Sequence, residues 1–250
     1  LVSGFQIILP SVKCNAKSAE NNAILPGRVG PVRGDNGGNA AQVAPIPSFF
    51  YVRPLSDRIR FGLASTAPLG GGVDYGKDFV GRYAIQDVTL AGLSLTPSLA
   101  YRVTDQLSIG AGASVVYSTL SQTVAVRQGA PSPELDGRVK FEDLEDWGVQ
   151  AVLGLTYAFS DDLLLGIVYR SEMDTDLEGD VKYEGLRNPQ VASALPRDVK
   201  ISWTNPQWLE AGLRYRLDDK TQLYANAGWQ EWSKFSENEL GFRNDRVVVS

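Results

Sequence analysis

Histidine is absent from these 250 residues, and cysteine occurs once, as Cys14. Without an imidazole there is no Ser-His-Asp or Cys-His catalysis and no histidine metal site. A single thiol can neither close an intrachain disulfide nor build a zinc ribbon. A basic excess is missing too: 24 Lys and Arg against 29 Asp and Glu give a formal charge of -5, which argues against a general nucleic-acid binder. Also missing is any hydrophobic run fit to span a bilayer as a helix, which takes about 20 predominantly apolar residues. The longest uncharged stretch, Gln106 to Val126, is broken by Ser108, Ser114, Ser118, Thr119, Ser121, Gln122 and Thr123. The segment Leu1-Val-Ser-Gly-Phe-Gln-Ile-Ile-Leu9 carries no basic leader and no cleavage pattern, so no signal peptide is expected in it. Disorder is excluded by 43% hydrophobic and 10% aromatic content.

What is present is a period of two. From Trp147 to Phe159 every odd position is apolar, and the even positions are Gly148, Gln150, Val152, Gly154, Thr156 and Ala158. Successive strand side chains point to opposite faces, so this segment has one greasy face and one small or polar face. The pattern recurs over Leu107–Ser118, Leu209–Leu217, Leu223–Trp229 and Leu93–Arg102, and helical spacing is nowhere sustained comparably. The chain reads as all-β. Several strands run about 11–13 residues, long for a soluble protein but suited to a tilted membrane strand. Aromatics close the greasy faces, with Trp147 at one end of its strand and Tyr157 and Phe159 at the other, where an interfacial girdle belongs. These features favour a transmembrane antiparallel β-barrel over a soluble sandwich.

Four segments repeat a turn: Arg53-Pro-Leu-Ser-Asp57, Tyr101-Arg-Val-Thr-Asp105, Tyr157-Ala-Phe-Ser-Asp161 and Tyr215-Arg-Leu-Asp-Asp219, each followed by a new alternating run. Asp and Ser close tight turns by bonding their own backbone. The aspartates lie 48, 56 and 58 residues apart, so each period holds two strands and one longer connection. The long connections fall near 14–44, 68–87, 128–144 and 184–196, and strands near 1–12, 45–53, 58–67, 89–103, 106–126, 145–159, 162–183, 197–217 and 220–235. A partial tenth is expected at 242–249. Short turns on one side and long loops on the other match the asymmetry of outer-membrane barrels. Nine or ten strands do not close, so residues 1–250 are expected to be a single partial barrel domain, an internal fragment of a larger one.

An ordered series of short motifs accompanies this pattern: Pro47-Ser-Phe-Phe-Tyr51, Phe61-Gly-Leu63, Ala67-Pro-Leu-Gly70, Gly81-Arg-Tyr83, Thr96-Pro-Ser-Leu-Ala-Tyr-Arg102, Tyr169-Arg-Ser-Glu172, Leu177-Glu-Gly179, Leu195-Pro196 and Trp232-Ser-Lys-Phe235. Over about residues 45–240 this series resembles the FadL/TodX family of outer-membrane transporters for long-chain fatty acids and aromatic hydrocarbons. The resemblance implies a 14-stranded barrel plugged by an amino-terminal hatch. It also implies capture of a hydrophobic ligand among extracellular loops, an apolar pocket, and sideways exit through a gap at a kinked strand. Against that pattern, the chain over residues 1–250 is expected to lack the hatch with its Asn-Pro-Ala segment, the last strands and the terminal aromatic residue. Its loops at 128–144 and 184–196 are short for the ligand-catching pair.

Pro68, Gly70, Gly71 and Gly72 are the candidates for the lateral opening, because proline removes a ladder donor and glycine permits kinks. The alternative is an ordinary loop start. The missing helix pattern disfavours a phosphate cradle. Arg60, Arg102, Arg170, Lys200, Arg214 and Arg216 are expected to face inward on the polar side, where one could hold a fatty-acid carboxylate in its fork or pair with an acid such as Glu210. Glu172, Asp174, Asp176, Glu178 and Asp180 put five acids on one face, either as a solvated extracellular extension or bridged by divalent cations to lipopolysaccharide. Trp203-Thr-Asn-Pro-Gln-Trp208 is expected to bulge at Pro206.

The expected function is passive outer-membrane transport of hydrophobic compounds, foremost fatty acids, by a monomer in the Gram-negative outer membrane. Lipid, lipopolysaccharide and the hydrophobic ligand are the expected partners. No enzyme activity, catalytic residue, cofactor, resident metal or nucleic acid is expected. Aromatic-hydrocarbon uptake, a general porin and a soluble β-sandwich are the competing readings.

Overall fold

A computed structural model of the chain describes residues 1–21, 30–128, 134–187, 195–236, 239–242 and 245–248. Strand β1 (Val2–Ile8) precedes a short two-stranded pair, β2 (Glu20–Asn21) and β3 (Gly30–Pro31). The main run is β4 (Ala44–Pro54), β5 (Ile59–Asp74), β6 (Asp87–Arg102), β7 (Leu107–Val126), β8 (Gly137–Ala158), β9 (Leu163–Arg170), β10 (Met173–Glu184), β11 (Asp198–Asn205), β12 (Trp208–Arg216) and β13 (Gln222–Gln230). A short 3-10 turn (Trp232–Ser236), β14 (Glu239–Phe242) and β15 (Asp245–Val248) end it. Apart from β2 and β3, these strands form one 13-stranded antiparallel sheet, curled into a half-barrel, with no α-helix among the described residues. Among the described residues no helix is long and apolar enough to cross a membrane.

The four repeated turns share one geometry. Ser56 Oγ accepts the N–H groups of Arg58 and Ile59, and Thr104 Oγ1 those of Gln106 and Leu107. Ser160 Oγ accepts from Asp162 and Leu163, and Asp218 Oδ1 from Lys220 and Thr221. The residue before each repeated aspartate therefore closes the turn, and the aspartate itself rides in it. Between turns the strands alternate as expected. Trp147, Val149 and Leu153 are exposed, Trp147 at 68%, while Gly148 and Gln150 are buried on the concave side. An outward face this apolar is a lipid face. From Trp147 to Tyr157 a tilted strand rises about 25 Å, the height of an outer-membrane apolar band.

Several boundaries differ from expectation, and the partial tenth strand expected at 242–249 is two short strands, β14 and β15. β5 does not stop at Pro68 but continues to Asp74, and β8 starts at Gly137 instead of 145. The strands at 162–183 and 197–217 are each split in two. β8 bifurcates accordingly: its Val152–Ala158 half pairs with β9, and its Arg138–Glu145 half pairs with β10. The splits fall at Ser171-Glu172 and at Pro206-Gln207, side by side in the wall, because Arg170 pairs with Trp208 below them and Met173 with Asn205 above.

Each split inverts the alternation. Arg170 lies on the concave side of β9, yet in β10 the buried residues are the odd ones, Met173, Thr175, Leu177 and Val181. Likewise Trp208 and Glu210 face inward on β12, while Val199, Trp203 and Asn205 do so on β11. The inversion turns Leu177, Val181, Val199 and Trp203 onto Leu120 and Leu144 as an interior apolar cluster. It turns the acids of β10 outward, above the lipid-facing band. There Asp174 accepts from Thr204 Oγ1, Asp176 from Ser202 Oγ, and Lys200 pairs with Asp176 at 3.0 Å and Glu178 at 3.5 Å.

Candidate functional site

The ladder between β4 and β5 is interrupted. It runs from Pro54 opposite Arg60 up to Phe49 opposite Ser65 and stops. It resumes only where Ala41 bridges Val73, with Gln42 N–H donating to Gly72 O at 3.1 Å and Asp74 N–H to Ala40 O at 2.7 Å. A cavity of about 530 Å³ occupies the gap, lined by Ala44, Pro45 and Ile46 on one side and Pro68 to Gly72 on the other. A Cβ at Gly70 or Gly71 would meet nothing within 4 Å, so both glycines border open space.

The kink in β5 has a defined form. Thr66 pairs with Ser94 and Leu69 with Gly92, so Ala67 and Pro68 together oppose Leu93 alone, as in a β-bulge. Thr66 and Ser94 share a hydroxyl–hydroxyl bond of 2.9 Å, and Ser94 Oγ also donates to Thr66 O at 3.1 Å. Leu69 lies over Gly92, where an added Cβ would meet it at 2.9 Å.

Behind the bulge, on the concave side, lies a second cavity of about 500 Å³. Ala67, Pro68 and Leu69 border this cavity as well as the gap. Its other walls include Val116, Met173, Trp208 and Trp232, with Arg170, Gln150, Asn205, Gln230 and Thr66 as the polar groups. The Arg170 guanidinium carbon sits 5.7 Å from the Trp208 ring centroid. The strand splits build this site. Gln150 Nε2 donates to Ser171 O at 3.0 Å, Asn205 Nδ2 to Thr175 Oγ1 at 2.7 Å, and Trp203 Nε1 to Asn205 Oδ1 at 3.2 Å. Gln150, and Asn205 through a further bond from Nδ2 to Met173 O at 3.4 Å, satisfy backbone carbonyls beside the broken ladder, and the other two bonds hold Asn205 in place. A largely apolar cavity with one cation and a few amides suits an amphipathic or hydrophobic molecule.

Of the six basic candidates, Arg170 alone reaches this cavity. Arg60 Nη1 donates to the Ser56 and Ile59 carbonyls of its own turn. Arg216 pairs with Asp162 at 2.7 Å in another turn. Arg102 and Arg214 are exposed near the turn end of their strands. Lys200, expected to face inward, lies outward among the acids, because the split at Pro206-Gln207 shifts the alternation between it and Arg214. The sequence candidates for the site included none of Pro45, Pro47, Leu69, Met173 and Trp208. The two prolines two apart inside an apolar run were the one legible signal.

Above the gap, the buried Arg82 ties the loops together. Its Nε donates to Asp136 Oδ2 at 2.7 Å, and its Nη1 donates to Arg33 O at 2.7 Å and Phe79 O at 3.2 Å. Tyr83 Oη donates to the same carboxylate. Residues Pro131-Ser-Pro133 and most of the connection at 184–196 lie outside the described residues.

A curled antiparallel sheet with a lipid-facing outside, short turns at one rim and long loops at the other defines the wall of an outer-membrane β-barrel. Residues 1–248 match the family model described as outer membrane protein transport protein (OMPP1/FadL/TodX), and the chain belongs to that family. The long-chain fatty acid transport protein of Escherichia coli O6:H1 is 23% identical over 233 residues, covering 81% of this chain and 52% of that protein. Among solved structures, a Pseudomonas aeruginosa FadL homologue superposes with a TM-score of 0.81 at 20% identity over 98% of this chain and 62% of its own. The Pseudomonas putida toluene transporter TodX gives 0.60 at 19% identity, over 83% and 61%. Both show the fold. The chain spans about half the length of the curated relatives it matches. Its place is the outer membrane, as for relatives named outer membrane proteins.

Proposed function

We propose that the protein to which this chain belongs carries hydrophobic compounds passively across the outer membrane, without catalysis. The compound passes from the interior cavity sideways through the gap between β4 and β5 into the bilayer. The observation that carries this reading is the shared rim: Ala67, Pro68 and Leu69 separate an interior cavity from an interruption in the wall. In this reading Pro68 and Gly70–Gly72 form the lateral opening. The interior cluster of Leu177, Val199 and Trp203 leads toward the cavity through Met173 and Asn205. The apolar outside takes lipid, the charged band above it takes the lipopolysaccharide headgroup zone, and the protein works as a monomer.

Long-chain fatty acids are the favoured cargo, because Arg170 supplies a single cation for one carboxylate beside apolar walls. An aromatic hydrocarbon is the second reading, favoured by the Trp208 and Trp232 rings in the same cavity. Of the named relatives one is a fatty acid transporter and one a toluene transporter, so the split is tested directly. In the full-length protein, Arg170→Gln should weaken oleate binding about 10- to 100-fold, the size of a lost charge-assisted hydrogen bond. Toluene binding should stay within about two-fold. Equal losses for both would remove the carboxylate role.

A further inference from the structure

The bulge at Ala67-Pro68 bends β5 away, but a bend on one strand does not explain why the facing strand leaves its donors unused. The answer lies in which way β4 turns its N–H groups. Leu55 N–H donates to Ile59 O at the foot of the β4–β5 ladder. In a regular strand every second residue turns its N–H to the same side. The odd-numbered residues of β4 therefore address β5, and within the gap these are Pro45 and Pro47. The other edge agrees. β1 pairs with β4 without interruption from Val2 opposite Phe50 to Ile8 opposite Ala44, passing Pro47 opposite Phe5 and Pro45 opposite Ile7. A ladder runs past two prolines unbroken only if their nitrogens face away from it.

Phe49 opposite Ser65 below and Ala41 opposite Val73 above are eight residues apart on each strand. The phase is not the same on the two sides: odd residues bond across the ladder below, whereas above it Gln42 N–H donates to Gly72 O and Asp74 N–H to Ala40 O, because the bulge at Ala67-Pro68 inverts β5. Closing the gap therefore takes a one-residue adjustment beside the bulge as well as donors on β4.

We propose that Pro45 and Pro47 are positioning residues that hold the wall open by withholding from β5 the two N–H donors with which β4 would zip shut. β1 loses nothing, because the missing donors point the other way. The pair shares a face with Phe49 and Tyr51, so valine at either position keeps an apolar side chain there. This inference rests on the reading of the gap as an exit, and the experiment separates the two.

Full-length protein is compared as wild type, P45V/P47V, P45G/P47G and the control P54V, whose proline lies at the turn, outside the gap. Amide hydrogen exchange is followed over 43–49 and 66–72, together with oleate transfer from the reconstituted protein into vesicle lipid and oleate binding at equilibrium. The glycine pair adds donors without bulk, and it stands in if the valine pair does not assemble. Both double variants should gain at least about ten-fold protection in both segments and lose at least about ten-fold in transfer. Binding should stay within about two-fold, and P54V should behave as wild type. No gain in protection in an assembled double variant would overturn the role of the prolines. Protection gained with transfer undiminished would support that role and overturn the gap as the exit.

Discussion

Ser56, Thr104, Ser160 and Asp218 occupy equivalent places, each accepting the N–H groups two and three residues ahead. Only one of the four is ionisable. The Lys220 N–H, with that of Thr221 behind it, holds the Asp218 carboxyl below the usual carboxylate range. A group whose folded pKa is depressed contributes stability above its unfolded value, about 3.9, and that contribution is lost as pH falls through the folded value. Stepwise acidification from the unfolded value, about 3.9, downward should therefore progressively weaken amide protection at Lys220 and Thr221, while Asp162 and Leu163, held by a serine, keep theirs. Parallel loss at both turns, after correction for intrinsic exchange, would contradict this. The turns were legible because they repeat. The role of the residue before the aspartate was not, since Ser-Asp, Thr-Asp and Asp-Asp all offer two oxygens. Lys200 and Arg170 show a deeper limit. Both sit at even positions, yet one faces out and the other in, because side-chain direction is inherited along a strand only until its phase breaks.

At the scale of elements, the strands could be read wherever alternation is continuous, as in β7 and the lower half of β8. The two splits were not legible as a pair, because nothing in either segment tells that Ser171-Glu172 and Pro206-Gln207 come to lie side by side. The lipid-facing assignment makes a sharp prediction at Leu153, which is half exposed on the outside of β8. On a water-facing surface Leu153→Arg would cost little, whereas facing lipid near the midplane it should destabilise the barrel by about 2–4 kcal/mol. Urea titration of the refolded full-length protein in lipid vesicles would measure it, and a change under about 0.5 kcal/mol would contradict a lipid face. The glycine run of β5 gives a second test. Because Gly70 and Gly71 border open space, G70V/G71V should fold normally and lower oleate uptake by cells, with a larger drop for G70F/G71F. Unchanged uptake in both would remove these glycines from the exit.

For the molecule as a whole, one outward and one inward surface follow from a single curled sheet. Trp147 and Trp229 project outward, while Trp203 and Trp208 line the interior cluster and cavity. The sequence showed which residues alternate, but not that the upper interior is apolar and packed while the lower interior is carpeted by Gly110, Gly154, Gly166 and Gly212. That contrast arises from strands far apart in the chain. The central claim is that the wall between β4 and β5 is the way out of the interior. Its most direct measurement is stopped-flow transfer of a fluorescent fatty acid from the reconstituted full-length protein to vesicles whose lipid carries a bilayer-resident quencher, in wild type and G70F/G71F. The account predicts prompt quenching within the bilayer for wild type and transfer slowed at least about ten-fold when the gap is filled. Delivery to the enclosed water first, at a rate indifferent to the filled gap, would contradict it.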